Sequence, residues 1–237
     1  MSKAMLNSRL RSAAGFVRQG ATFADIGTDH AYLPIFLLGE GKISRAILTD
    51  INEGPLESAR RNVCDAGYSD RVELYLTDGA AQLSGLGIAD FAICGMGGEL
   101  IADIIERAPF LRDENINLIL QPMSRQAHLR TYLASRGFAI LDESYSYDAE
   151  KYYVTVLASF RANVSEISQT EAEIGIEKTR PDEIAARVGY LYRRASALAR
   201  AVAGKGDRAD VERTVLSAVL SKLCELGEQP DREKYIR

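Results

Sequence analysis

The chain has 237 residues, 46% of them apolar and 26% charged, with a formal net charge of −4. That length accommodates one α/β domain of roughly 150 residues plus a smaller appendage, and the composition excludes a low-complexity or disordered chain. The slight acidity disfavours a uniformly basic nucleic-acid coat, although clustering of charge matters more than its sum.

No run of about 18 apolar residues is available to cross a bilayer, so no membrane partner is expected. The N-terminal stretch MSKAMLNSRLRSAAGF lacks the continuous apolar core of a signal peptide. Cys64, Cys94 and Cys224 are dispersed and odd in number, which fits a reducing cytoplasm rather than a disulfide framework. The two histidines and scattered cysteines show no metal-ligand spacing, so no metal is expected. The sequence leaves the oligomeric state open, with a monomer favoured.

Periodicity predicts an amphipathic helix over 5–19, with Leu6, Leu10, Ala13, Ala14 and Val17 on one face. A buried strand Ala21–Ile26, a helix Tyr32–Leu38 and a second strand Arg45–Asp50 follow. Pro55–Ala66 reads as a helix with proline in its first turn and Gly67 at its exit. Val72–Thr77, Asp90–Cys94 and Ile116–Gln121 read as further strands, with helices at Glu99–Ile105 and Arg125–Ser135. A strand beginning at Phe138–Leu141 and a last strand Tyr153–Phe160 are joined through SYSYDAEKY. Repeated strand–helix units imply an α/β fold, a Rossmann-like parallel sheet covered on both faces, with the two late strands as an antiparallel edge pair.

After Asn163 the pattern changes. Ile184, Val188, Leu191, Ala195, Leu198 and Val202 recur at spacings of four and three, as on one helical seam. GKGD interrupts it, and Val211–Leu226 supplies a second helix. A C-terminal helical hairpin domain, residues 163–237, is therefore expected after a ligand-binding domain of residues 1–162.

In open α/β sheets, ligands bind beyond the carboxyl ends of the strands. Four loops with suitable chemistry fall there. FADIGTDHAYLP carries Asp25, Gly27, Thr28, Asp29 and His30 after the first strand. Asp50 ends the second, followed by Ile51. Asp78 and Gly79 end the third. Gly95, Met96, Gly97 and Gly98 follow the fourth. The first loop has one glycine where a dinucleotide fingerprint has three. A pyrophosphate needs close backbone approach, whereas S-adenosyl-L-methionine has no pyrophosphate, so the pattern favours the latter over NAD.

A carboxylate at Asp50 suits the two hydroxyl donors of a ribose. Asp78 is either an acceptor for an adenine amino group or an acidic cap. Met96 is either a wall beside a base or core. Gly97 and Gly98 allow a flat ligand to approach, and Gln121, ahead of Pro122, carries the donor and acceptor that a base edge requires. Methylation of an adenine ring nitrogen needs alignment and stabilisation of developing positive charge rather than a base. Asp29 is the residue selected for that role; His30 is either a loop contact or a ligand contact.

The appendage offers Arg187, Arg193, Arg194, Arg200, Lys205, Arg208 and Arg213 for phosphate contact, with Tyr153 as a stacking candidate nearer the crevice. Acidic neighbours also permit a plain solvated hairpin.

Together these motifs resemble the TrmK family of bacterial tRNA (adenine-N1)-methyltransferases. The likeness lies in Arg9-Leu10, the loop from Asp25 to Pro34, Asp50–Leu56, Asp78-Gly79, Gly95–Leu100 and Leu120–Pro122. It implies a Rossmann-like catalytic domain, S-adenosyl-L-methionine as methyl donor, and a helical domain that helps bind tRNA, with adenine 22 as target. It also implies that Asp25, Gly27, Asp29, Asp50 and Asp78 lie on the cofactor side, with Gly95–Gly98 and Gln121-Pro122 toward the incoming base. A small-molecule methyltransferase and a noncatalytic RNA-binding protein on the same fold are the rival expectations.

Overall fold

A computed structural model describes residues 6–176, 179–231 and 235. The expected helix start at residue 5, residues 177–178 of the segment before the hairpin, and the outermost residues of both expected domains lie outside the described residues. The elements run α1 (Ser8–Phe16), β1 (Thr22–Ile26), α2 (Tyr32–Gly39), β2 (Arg45–Asp50), α3 (Glu53–Asp65), β3 (Val72–Leu76), β4 (Asp90–Gly97) and α4 (Gly98–Glu106). They continue with β5 (Asn117–Ser124), α5 (Gln126–Ser135), β6 (Phe138–Asp148), β7 (Lys151–Phe160), α6 (Gln169–Ile174), α7 (Ile184–Lys205) and α8 (Asp210–Glu225).

The strands form a single seven-stranded sheet in the order β3-β2-β1-β4-β5-β7-β6. The first five are parallel, and β7 runs antiparallel to both β5 and β6. Chain order reverses between β1 and β4, which makes that boundary the switch point at which α/β sheets bind ligands.

Both faces are covered, which explains why the central strands are apolar almost without interruption. Alternate residues divide between two cores. Phe23, Ala46, Leu48, Ala92 and Ile119 pack beneath α1, α2 and α3. Ala24, Ile26, Ile47, Phe91, Ile93, Leu118 and Leu120 join a larger core with α4, α5, α7 and α8. The buried seams of α7 and α8, including Leu191, Ala195, Val215 and Val219, are continuous with that sheet core.

Two local expectations need correction, and one short helix was not expected. SYSYDAEKY is not a linker: β6 extends to Asp148 and β7 begins at Lys151, so only Ala149 and Glu150 turn, both with positive φ. β4 and β5 outrun their apolar cores because pairing continues through shifted register, Met96 opposite Pro122 and Gly97 opposite Ser124. Such a bulge tolerates a proline that a regular central ladder does not. The short helix α6 is capped by Ser168 and Glu171 in a reciprocal box, a signal present in the sequence at SQTE.

Among the described residues no helix is long and apolar enough to cross a membrane, and no cluster of His, Cys, Asp and Glu is arranged to hold a metal.

Candidate active site

The loop after β1 is built by its backbone. Gly27 has φ +70°, and Gly27 and Thr28 both donate their N–H groups to the Thr49 carbonyl at 2.9 Å, tying the loop to the end of β2. Asp29 and Ala31 also occupy the left-handed region, with φ of 52° and 57°. For non-glycine residues this costs roughly 1–2 kcal/mol each, so the surrounding contacts must hold the turn. Those contacts are Ala31 N–H to the Thr28 carbonyl and the Asn62 amide to the His30 carbonyl, at 3.0 and 2.9 Å.

Asp50 organises both neighbouring loops. One carboxylate oxygen accepts from the Asn52 N–H at 3.0 Å and the other from the Asp29 N–H at 3.4 Å. The group is 8% exposed, and each oxygen keeps a lone pair for a further donor. Asp25 is more deeply placed. Burial raises its carboxyl from 3.8 to about 6, while the Thr28 hydroxyl, donating at 2.8 Å, and the nearby Arg9 charge oppose that rise.

These loops enclose a cavity of about 460 Å³. Asp25, Gly27, Thr28, Asp29, His30, Asp50, Ile51, Asp78, Gly79, Gly95 and Met96 all line it, so the dispersed strand ends do converge. Ile51, Tyr32 and Leu100 are exposed apolar side chains on its wall. The Asp29 carboxylate is solvent-facing, 3.6 Å from the His30 ring, which stacks on Tyr32 with centroids 5.3 Å apart. Asp78 is held by a two-pronged ion pair to Arg107, which keeps its carboxyl below the usual range. It therefore reaches the cavity already partnered. Burial raises the Cys94 thiol, with Asp25 adding to the effect, which disfavours a thiolate nucleophile.

Several expected base contacts are committed elsewhere. Gln121 is fully buried; its amide oxygen accepts from Arg9 at 2.6 Å, and its nitrogen donates to the Arg9 carbonyl and the Thr155 hydroxyl, both at 2.9 Å. No N–H is left to read a base. Pro122 is buried in the bulged β4–β5 pairing. At Gly98 an added Cβ would lie 2.5 Å from the Arg125 carbonyl oxygen, so the absent side chain serves backbone packing. At Gly97 it would meet the Ser124 hydroxyl at 3.3 Å. None of these four lines the cavity.

A second depression of about 500 Å³ lies between the end of β5, the β6–β7 hairpin and α7. Arg125, Lys151, Tyr152, Tyr153, Arg193, Arg194 and Arg200 line it. Arg193 and Arg200 are exposed. Arg194 instead pairs with Glu173 through two bonds of 2.7 and 2.8 Å, and Arg187 is buried under the Tyr145 ring. Lys205 and Arg213 pair with Glu212 and Asp210. Tyr153 is 7% exposed with Arg9 over its ring at 5.9 Å, so it is no open stacking platform.

Arg9, which the sequence offered only as part of the family likeness and without a role, is a lining residue of the cavity. It comes from α1 and bonds Gln121 across 112 positions of chain. Nothing in its own helix distinguishes it from Arg11. Because it also covers Tyr153, cavity and basic groove adjoin across this one side chain.

Strand order, a switch-point cavity and an acidic residue closing β2 define a Rossmann-like methyltransferase domain. In agreement, the family described as "Methyltransferase domain" matches residues 6–156. The tRNA (adenine(22)-N(1))-methyltransferase of Bacillus subtilis (strain 168) is 36% identical over 159 residues. That alignment covers 67% of this chain and 66% of the relative, just under two thirds of its length. Streptococcus pneumoniae Sp1610, a candidate tRNA (m1A22) methyltransferase solved with S-adenosyl-L-methionine, is 33% identical and superposes with a TM-score of 0.80, covering 92% of this chain and all of that one. TrmK of M. capricolum, solved with S-adenosyl-homocysteine, is 25% identical with a TM-score of 0.78, covering 94% of this chain and 99% of that one. The chain belongs to the TrmK family of tRNA (adenine-N1)-methyltransferases.

Proposed function

We propose that the protein transfers a methyl group from S-adenosyl-L-methionine to N1 of adenine 22 in tRNA. The observation that carries this reading is the junction of the acidic cavity with the basic groove at Arg9 and Tyr153. A small-molecule enzyme needs only the first; a methyltransferase acting on RNA needs both.

The cavity fits the cofactor on its own chemistry. Its volume lies in the range of small-ligand sites. Asp50 offers acceptors for a diol from a fixed position, Ile51 an apolar surface for a flat ring, and Gly27 and Gly95 a backbone without side chains where the chain turns. When bound, the cofactor supplies an electrophilic methyl group. The protein's tasks are to hold that group, orient the ring nitrogen toward it and stabilise the positive charge the base acquires. Asp29 has a solvent-facing carboxylate on a loop fixed by Asp50, and is assigned the last task. Residues 1–162 serve as the catalytic domain. Residues 163–237 contribute RNA contacts, with Arg193 and Arg200 reaching phosphates in the cytoplasmic tRNA pool.

Incubation with labelled S-adenosyl-L-methionine and unmodified bacterial tRNAs, followed by mapping of the modified nucleoside, tests the reading. Label in 1-methyladenosine at position 22 is expected. Transfer to a metabolite with none to tRNA would refute the RNA substrate, and cofactor binding without any transfer would refute the enzyme. Asp29→Asn should bind cofactor normally and lose turnover; full turnover would remove Asp29 from the chemistry.

A further inference from the structure

Three tyrosines line the 500 Å³ groove between β5, the β6–β7 hairpin and α7, and their exposure sorts them. Tyr190 and Tyr153 are 3% and 7% exposed, whereas Tyr152 is only partly buried. Consecutive residues of a strand face opposite sides of the sheet, so Tyr153 passes beneath Arg9 of α1 while Tyr152 turns to α7. There it meets Gly189, where a Cβ would overlap the phenol end of the ring. A glycine inside a helix costs stability relative to alanine, and here its missing side chain is the seat of an aromatic ring. Tyr147, 51% exposed, lies against Tyr152 from the other strand of the hairpin, with ring centroids 4.8 Å apart.

The charge around this ring is one-sided. Arg125, Lys151, Arg193, Arg194 and Arg200 line the groove, and no carboxylate does. Arg194 is spent on Glu173, and Arg125 lies 3.4 Å from Glu99. Lys151, Arg193 and Arg200 are exposed and have no acidic partner among the described residues. Gly189, Arg193, Ala197 and Arg200 recur at helical spacing, so small residues and arginines share the face of α7 that meets the hairpin and groove.

We propose that this groove holds one unpaired nucleotide beside the target adenine, its base stacked on the Tyr152 ring and its flanking phosphates on Lys151, Arg193 and Arg200. This rests on the tRNA reading above and names what the basic groove recognises. An aromatic face takes any unstacked base, whereas bases within a duplex keep their faces covered by their neighbours. A partly exposed ring among unpaired cations therefore suits a single strand, in which base and phosphate come within reach together. Because the groove adjoins the cavity at Arg9 and Tyr153, the stacked nucleotide lies next to the base being methylated. Stacking there keeps the strand open while the adenine enters the cavity.

Binding of unmodified tRNA to the full chain, with S-adenosyl-L-methionine affinity as the control, tests the assignment. Tyr152→Ala should weaken tRNA binding roughly 5- to 100-fold and raise KM for tRNA, leaving cofactor affinity within about twofold. Tyr152→Phe should stay near wild type, since it keeps the aromatic face. Stacking carries no charge, so Tyr152→Ala should also preserve the slope of log affinity against log salt. In tRNA carrying 2-aminopurine on one or the other side of the target adenine, one position should fluoresce more brightly in the saturated Tyr152→Ala complex than in wild type. The ring that quenches the unstacked base is then gone. Unchanged tRNA affinity in Tyr152→Ala, or equal fluorescence at both positions, would overturn the proposal. So would Tyr152→Phe as weak as Tyr152→Ala, which marks a hydroxyl contact, or a loss shared with the cofactor, which marks a damaged fold. Wild-type protein that binds S-adenosyl-L-methionine but no tRNA would refute the RNA reading itself, an outcome distinct from these.

Discussion

Glu143→Ala should destabilise the protein severely although Glu143 lies outside both the cavity and the basic groove. The carboxylate is fully buried and receives three donors: Arg130 Nε at 2.6 Å, the Tyr145 hydroxyl at 2.8 Å and the Ile176 N–H at 3.1 Å. Arg130, 1% exposed, continues the network to the Ala172 carbonyl at 2.7 Å and the Tyr190 hydroxyl at 3.3 Å. Five segments, α5, β6, α6, the strand of chain after it and α7, are thus joined around one ion pair. Removing the acid leaves the guanidinium charged and buried, at a cost of about 3–5 kcal/mol. For a chain of this size that corresponds to a fall in Tm of roughly 6–20 °C. Thermal unfolding followed by circular dichroism measures it. Arg130→Met with Glu143→Leu should recover much of the loss, because one Arg130 nitrogen already lacks a hydrogen-bond partner and removing both charges removes the desolvation penalty. A shift below 2 °C in Glu143→Ala, or a double variant no better than the single one, would refute the reasoning.

Three further outcomes are expected. Gly98→Ala places a Cβ 2.5 Å from one carbonyl oxygen and 3.0 Å from the next, both backbone, so the strain of about 1–3 kcal/mol should exceed the gain of about 1 kcal/mol from helix propensity, and Tm should fall. Asp25 has a folded-state pKa above its unfolded value of 3.8, so the folded protein holds the extra proton between about pH 4 and 6; stability should decline as pH rises through that window, by about 2–3 kcal/mol. Asp25→Asn should flatten that decline and raise Tm at pH 8, and a slope identical to wild type would contradict the burial argument. Arg193→Glu with Arg200→Glu should weaken tRNA binding and make its logarithm less steep against log salt, whereas Arg194→Ala should chiefly lower Tm through loss of Glu173 pairing.

The sequence by itself determined the units and the kind of site. Apolar runs of strand length, turn glycines and acidic strand ends are short-range signals, because a buried parallel strand or a left-handed turn restricts the residues that occupy it. Hence β2 could be read to its end at Asp50, and Asp25, Gly27, Asp50 and Gly95 could be placed on one ligand face. The seam of α7 was legible for the same reason, through its heptad-like spacing.

Tertiary structure alone decided which polar groups remain available. Gln121, Asp78 and Arg194 looked free in sequence because their partners, Arg9, Arg107 and Glu173, are 112, 29 and 21 positions away. Gly98 looked like room for a ligand until the Arg125 carbonyl occupied that room. Folding brings donors and acceptors together across distances that no local pattern encodes, and a buried side chain satisfied in this way, as Gln121 is, is spent for recognition. Arg9 shows the opposite outcome: an ordinary residue of a surface-seeking helix becomes the lone cation of the cavity because Gln121 and Tyr153 hold it there.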